Sequence, residues 1–391
     1  VISFTRRQQI ASEYLAGGRF KPSEAICREL WDEGHRTPEL AALLGQLLAL
    51  RNRPEEALPL LDQALAEGGE HPRIKALKAD CQTRRKRFAE AAPIYRDLRR
   101  NGFAAKLEAL VDGGAYRFAS DELVDLPWAP GTRLPLVPCE INGAASLFML
   151  DTGVGETLID SDLAERAGIS SLGPEPIQLP AGPAGVIEHA IIPSITLGNC
   201  RIDAVPAQIF PVRDTFASLL GLPVDGIFGV GLFSQRPTTL DYRARSLRIG
   251  PAEPRAVGSS FFWAAGQYPL VPVKLNERLE TLLFLDTGMI GAAVGLPPSI
   301  ARAAEVQVTA GASGVGFAVD RSLQAQPILC PSVAAIGMRR DNLPGMLLGQ
   351  FRLEKQLGFR IGGLLGDGFV NVGRLHMDFA AMSIALSLDP C

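Results

Sequence analysis

Parts of this 391-residue chain repeat one another at a nearly constant distance. Arg133-Leu-Pro-Leu-Val-Pro-Cys-Glu-Ile-Asn142 parallels Gln267-Tyr-Pro-Leu-Val-Pro-Val-Lys-Leu-Asn276 at an offset of 134. Leu147-Phe-Met-Leu-Asp-Thr-Gly153 parallels Leu282-Leu-Phe-Leu-Asp-Thr-Gly288 at 135. Gly226-Ile-Phe-Gly229 with Leu240-Asp-Tyr242 parallels Gly363-Leu-Leu-Gly366 with Met377-Asp-Phe379 at 137. Three blocks kept in order describe a duplicated unit, so the two halves must share one fold. Short apolar runs bounded by Gly, Pro and Asn make that fold all-β.

The duplicated chemistry is Asp-Thr-Gly behind four apolar residues. An apolar strand carries the aspartate into a poorly solvated place, and glycine allows a tight turn with close backbone approach. One such triplet arises by chance in roughly one chain in ten of this size. Two copies at matching places are a different matter, and they single out Asp151 and Asp286 as the candidate catalytic pair.

With those residues in view, the chain from about 130 to 390 resembles the retropepsin-type aspartic peptidases. In that family each lobe supplies one Asp-Thr/Ser-Gly and a later apolar-apolar-Gly, here Ile227-Phe228-Gly229 and Leu364-Leu365-Gly366. The resemblance implies a bilobal β domain with both halves in one chain, so that a monomer suffices for catalysis. It implies no metal and no cofactor. Thr152 and Thr287 would bond across the lobe interface, while Gly153 and Gly288 would present backbone groups to the carboxylates. Two glycine-rich tips, Pro180-Ala-Gly-Pro-Ala-Gly185 and Ala310-Gly-Ala-Ser-Gly-Val-Gly316, are expected to act as substrate-covering flaps through Gly182, Ala184, Gly185, Gly311, Ser313 and Gly314. The chain departs from the pattern after each triplet. Val154 and Met289 replace the usual small residues and are expected to narrow the substrate subsites.

The first 110 residues read differently. They carry a net charge of +4 against −7 for the remainder, a sign change that separates two modules. Apolar residues recur at helical spacing (Leu40, Leu43, Leu44, Leu47), and Pro38 and Pro72, Gly45 and Ala79, and Ala57 and Ala91 are each 34 apart. That period resembles three tetratricopeptide repeats, the first with Ala11 and Ala25 in the small-residue roles and a loop two residues shorter. The alternative is a generic helical bundle. Such solenoids offer a concave face to a protein partner. Arg84-Arg85-Lys86-Arg87 reads as a solvated inter-helix turn.

The expected organisation is a helical repeat domain over 1–110, a linker and docking segment over 111–130, a first lobe over 131–250, an inter-lobe linker over 251–266 and a second lobe over 267–391. A net charge of −3 argues against a dedicated nucleic-acid binder, and no apolar run has the roughly 20 residues of a membrane span. Six scattered cysteines give no zinc pattern. A disulfide between Cys200 and Cys330 stays open. The glycine clusters at 226–231 and 363–368 lack the βαβ setting of a phosphate loop, and His189 reads as a surface residue. Composition rich in Arg, Ala, Leu and Gly suggests a GC-rich bacterial source. A start at Val1 is read as an expectation of export to a periplasm over retention in the cytoplasm. The leading function is an aspartic endopeptidase whose repeats recruit substrate or a partner or govern access. The rivals are a silent peptide-binding scaffold and an enzyme repurposed for another acid–base reaction.

Overall fold

A computed structural model describes residues 2–131, 134–178, 184–214, 223–251, 258–309, 314–318, 321–349 and 353–388. Seven helices come first: α1 (Phe4–Ala16), α2 (Phe20–Asp32), α3 (Pro38–Leu50), α4 (Pro54–Gly68), α5 (Pro72–Arg84), α6 (Phe88–Asp97) and α7 (Asn101–Ala109). Their starts explain themselves locally. Proline stands at the first position of α3, α4 and α5, where its missing N–H is no loss. The Thr37 hydroxyl accepts from Leu40 N at 3.2 Å to cap α3.

The 34-residue period extends through all three pairs, from Phe4 to Pro38 to Pro72 and from Phe20 to Pro54 to Phe88. The first unit is therefore not shortened. Its second small residue is Ser23, not Ala25. Ser23 is fully buried and its hydroxyl donates to Ala11 O at 2.7 Å, whereas Ala25 is exposed. A satisfied hydroxyl can sit where alanine sits in the later units, and it hid that register. Tight approach of α3 to α4 depends on Gly45, where a side chain would press on Leu61.

From residue 117 the chain is mainly strand. An eight-stranded sheet forms the first lobe around the antiparallel pair Leu136–Ile141 and Ala144–Leu150. A second eight-stranded sheet forms the other lobe around Tyr268–Leu275 and Leu279–Asp286. A six-stranded sheet joins the lobes, with Thr238–Asp241 of the first paired to Arg374–Asp378 of the second (Thr239 opposite His376). Residues of the segment after the helices dock into two sheets. Arg117–Phe118 pairs with Cys200–Phe210, and Val124–Pro127 pairs with Ser246–Ile249. The two glycine clusters each run from a short strand into one helical turn, Val230–Phe233 and Asp367–Val370. Among the described residues no helix is long and apolar enough to cross a membrane.

Helices and lobes share their cores. One apolar cluster runs from Ala79 and Phe88 through Phe148 to Leu283. Another joins Leu47 and Leu61 to Phe262, Phe284 and Phe359. Phe20 meets Phe262 and Phe359 edge-on, with ring centroids 4.9 and 4.8 Å away.

The basic run is not simply solvated. The Arg84 side chain is 5% exposed, pairs with Asp80, donates to Ala49 O at 2.7 Å and lies 4.8 Å over the Trp263 ring. A buried acid on its own helix and an aromatic face from the β domain draw it inward, and neither partner is visible in the local sequence. Arg84→Ala leaves Asp80 buried without its cation, which costs about 3–5 kcal/mol. We expect a lower Tm and faster proteolysis of the helix–lobe junction, with much of the loss recovered when Asp80→Leu is added.

Candidate active site

Asp151 follows the strand Ala144–Leu150, and Asp286 ends the strand Leu279–Asp286. Each strand is held in parallel register by a short glycine-bounded one, Gly226–Phe228 and Leu364–Gly366. Asp151 N donates to Phe228 O at 3.0 Å, which seats the turn on the strand behind it. The duplication thus aims one aspartate from each lobe at the same point.

The lobes are tied there by the two threonines. Thr152 Oγ1 donates to Leu285 O at 2.8 Å and accepts from Thr287 N at 3.1 Å. Thr287 Oγ1 accepts from Thr152 N at 3.0 Å and lies 3.5 Å from Leu150 O. Both threonines are essentially without solvent contact. Each hydroxyl uses its donor and acceptor capacity on the opposite lobe, so little rotational freedom remains.

The glycines let the carboxyls meet. A methyl group at Gly153 would collide with the carboxyl of Asp286, and one at Gly288 with that of Asp151. Gly288 N reaches both acids, at 2.8 Å to Asp151 Oδ1 and 3.0 Å to Asp286 Oδ1. Gly153 N adds a 2.7 Å bond to Asp151 Oδ1, and Met289 N a 3.1 Å bond to Asp286 Oδ1. Burial raises the pKa of Asp151, opposed by its two short amide bonds. Burial and then the neighbouring Asp151 charge push Asp286 well above the ordinary carboxyl range. Two such groups hold one proton between them, and their titration belongs to the pair.

Comparison with known proteins agrees with this geometry. Residues 137–230 match the family model described as aspartyl protease, and residues 48–111 match a tetratricopeptide repeat model. Within the β region, residues 137–230 are thus an aspartyl protease-type domain. It follows a tetratricopeptide-repeat domain. Similar solved structures include a retropepsin-like aspartic protease from Rickettsia conorii, at 12% identity over 34% of this chain and 93% of that one, TM-score 0.24. Basic 7S globulin from soybean is also similar, at 12% identity over 69% and 95%, TM-score 0.42. No curated protein matches the chain.

Around the two aspartates the lobes differ. In the first, Gly173–Gln178 and Ala184–Leu197 form a hairpin in which Gln178 faces Ala184 and Ile177 faces Gly185. Ala184 and Gly185 are thus strand residues beside the turn, and Gly182 lies outside the described residues. In the second, Gly314–Ala318 pairs with Arg321–Ala325. Gly314 opens a strand there and does not mark a tip. Gln307–Val308 is committed to Leu329 and Ile328 of the lobe sheet, so the hairpin begins only afterwards. Gly311 and Ser313 lie outside the described residues. Val154 lines a cavity beside the catalytic loop. Met289 lies against Gly295 and Gly366. The five described cysteines are free and buried, Cys200 and Cys330 included.

A charged cluster next to the catalytic loop was not legible in the sequence. Lys106 of α7 is fully buried, pairs with Glu156 and lies 3.0 Å from His189 Nδ1. An ammonium can only donate, so Nδ1 accepts and the ring proton sits on Nε2, which is 3.3 Å from Glu175 Oε2. Glu175 also binds Arg100 Nε at 2.8 Å and Phe103 N at 3.2 Å. His189 is thus no surface residue. Burial, foremost, keeps it below its ordinary pKa. Against its own burial, Glu156 is held ionised by Lys106 first and then by His189; Glu175, also opposed by burial, is held down to about 2 by His189 and Arg100. The last repeat helix is thereby locked to the base of the first hairpin and to the loop that leaves Asp151.

Two outcomes follow for the aspartates and the threonines beside them. Thr152→Ala and Thr287→Ala should each cost about 1–3 kcal/mol, with a double-mutant cycle giving a large coupling because the hydroxyls share partners. The raised Asp286 pKa means that ionising it in the fold costs stability as pH climbs from about 4, its unfolded value, through its folded value. Asp286→Asn removes that loss. Thermal melts between about pH 4 and 8 should show the variant gaining on the parent as pH rises, with the gap closing at the acid end.

Proposed function

We propose that the chain is an aspartic endopeptidase in which Asp151 and Asp286 act as the acid–base pair. The observation that supports this reading most directly is the single amide of Gly288 bonded to both carboxyls, one from each lobe, with Asp151 buried and Asp286 half-buried. Shorter amide bonds favour the charge on Asp151, and desolvation beside that charge favours the proton on Asp286.

The chemistry then needs no covalent intermediate. A water held between the outer oxygens gives its proton to the Asp151 carboxylate as its oxygen attacks the scissile carbonyl carbon. Asp286 gives its proton to the carbonyl oxygen, and a tetrahedral diol forms. The pair then runs in reverse roles: one carboxyl protonates the departing amine while the other recovers a proton from the diol hydroxyl, and the C–N bond breaks. The fixed amides hold the carboxyls in place throughout, so little reorganisation accompanies the charge movement. One chain supplies both acids, so we propose that a monomer is active, with the two hairpins lying over an extended peptide.

Digestion of a diverse peptide library by the parent, Asp151→Asn and Asp286→Asn tests the assignment. Cutting should fall at least about 100-fold in both variants. Persistent cleavage in either would place the activity elsewhere. The pH profile of kcat/KM should be bell-shaped: activity falls at low pH as Asp151 takes a proton, and at high pH as Asp286 loses its own. With both groups raised, the optimum should sit above the ordinary carboxyl range of about 4.

A further inference from the structure

The inner row of the repeat array, α3, α5 and α7, faces the protease domain instead of solvent. Gln46 Nε2 of α3 donates to Leu357 O at 2.8 Å, Arg84 of α5 covers Trp263, and Arg100, just before α7, binds Glu175. The face that a free solenoid would offer to a partner is therefore turned onto this chain's own lobes. It is not filled by them. A cavity of about 1230 Å³ remains between the two domains, and its lining includes Leu77 and Asp80 of α5 together with Gly153 and Val154 of the loop after Asp151. The repeats and the loop that follows Asp151 thus border the same space.

Its charge is not balanced. Every acid on the wall is already committed: Asp80 to Arg84, Glu175 to Arg100, and Glu156 to Lys106. Three cations on the same wall, Arg73, Lys86 and Lys355, meet no carboxylate among the described residues. Lys86 donates only to a neutral carbonyl, Ala115 O, at 3.0 Å. All three are exposed residues at the cavity's margin, and unpaired positive charges placed there favour an anionic occupant through a salt-dependent attraction.

We propose that the repeats form the outer wall of the substrate site and bind an acidic flank of the polypeptide being cut. This rests on the peptidase reading. A substrate leaving the dyad past Val154 enters the cavity directly, and four extended residues reach about 13 Å along it. The repeats then act as a fixed specificity wall that selects chains carrying Asp or Glu several positions from the scissile bond.

The test uses the full chain and a peptide that it cuts, lengthened at one end or the other by Ser-Gly-Ser-Gly or by Asp-Glu-Asp-Glu. At one of the two ends the acidic extension should raise kcat/KM roughly tenfold over the neutral one, chiefly through KM. That advantage should shrink at about 0.5 M salt and fall towards unity in the double variant Arg73→Glu, Lys355→Glu. Equal rates with acidic and neutral extensions at both ends would overturn the proposal, as would an advantage that survives the double variant. If no peptide is cut, fluorescence anisotropy of the same labelled peptides on Asp151→Asn still decides. Preferential binding of the acidic form, lost in the charge-reversed variant, keeps the wall and removes only the peptidase reading. Equal binding removes the wall.

Discussion

Two carboxyl groups held together out of water repel as soon as both ionise, and the centre of this molecule is arranged around that repulsion. The pair is stable because one proton stays with it and because backbone amides, not mobile side chains, face the remaining charge. Amides can come that close only where no Cβ intervenes, which explains Gly153 and Gly288. They stay in register only if the lobes cannot slide, which explains why Thr152 and Thr287 spend their hydrogen bonds on the opposite lobe. The six-stranded sheet beneath repeats the same tie over a longer span.

The helical domain extends this rigidity outward. A tethered recruitment module would leave its concave face free and its junction wet. Here the junction holds a fully buried lysine, a buried histidine and an arginine stacked on tryptophan, each in contact with a partner across the domain boundary. Removing one member of such a network leaves its partner charged and dry, so the network specifies one relative placement of helices and lobes. That placement turns a generic peptide groove into part of the space beside the catalytic loop.

Much of this was legible before any coordinates. The 34-residue spacing identified the helix pairs because helix–helix approach admits only small residues at the crossing, as Gly45 shows against Leu61. The paired Asp-Thr-Gly blocks identified the dyad because burial of a carboxylate requires the apolar strand and the glycine beside it. Reading failed where a residue's environment comes from far along the chain. His189 and Arg84 look solvated in their own segments. Each is buried by a partner between 83 and 179 positions away, Lys106 for the histidine and Trp263 for the arginine. Gly314 looks like a turn because glycine marks turns locally, yet its strand is set by where the preceding residues pair. The room that Met289 finds against Gly366 is likewise set by a residue distant from it in the chain.

By itself, then, the sequence determined the two architectures and the acids that face each other, since both follow from short-range periodicity and from a motif whose chemistry is local. Tertiary structure alone decided how the domains sit, which charges are dry, and that the repeat groove opens onto the catalytic loop. Those depend on contacts between residues tens to hundreds of positions apart, and no local pattern of hydrophobicity or charge encodes which distant partner will neutralise a buried group.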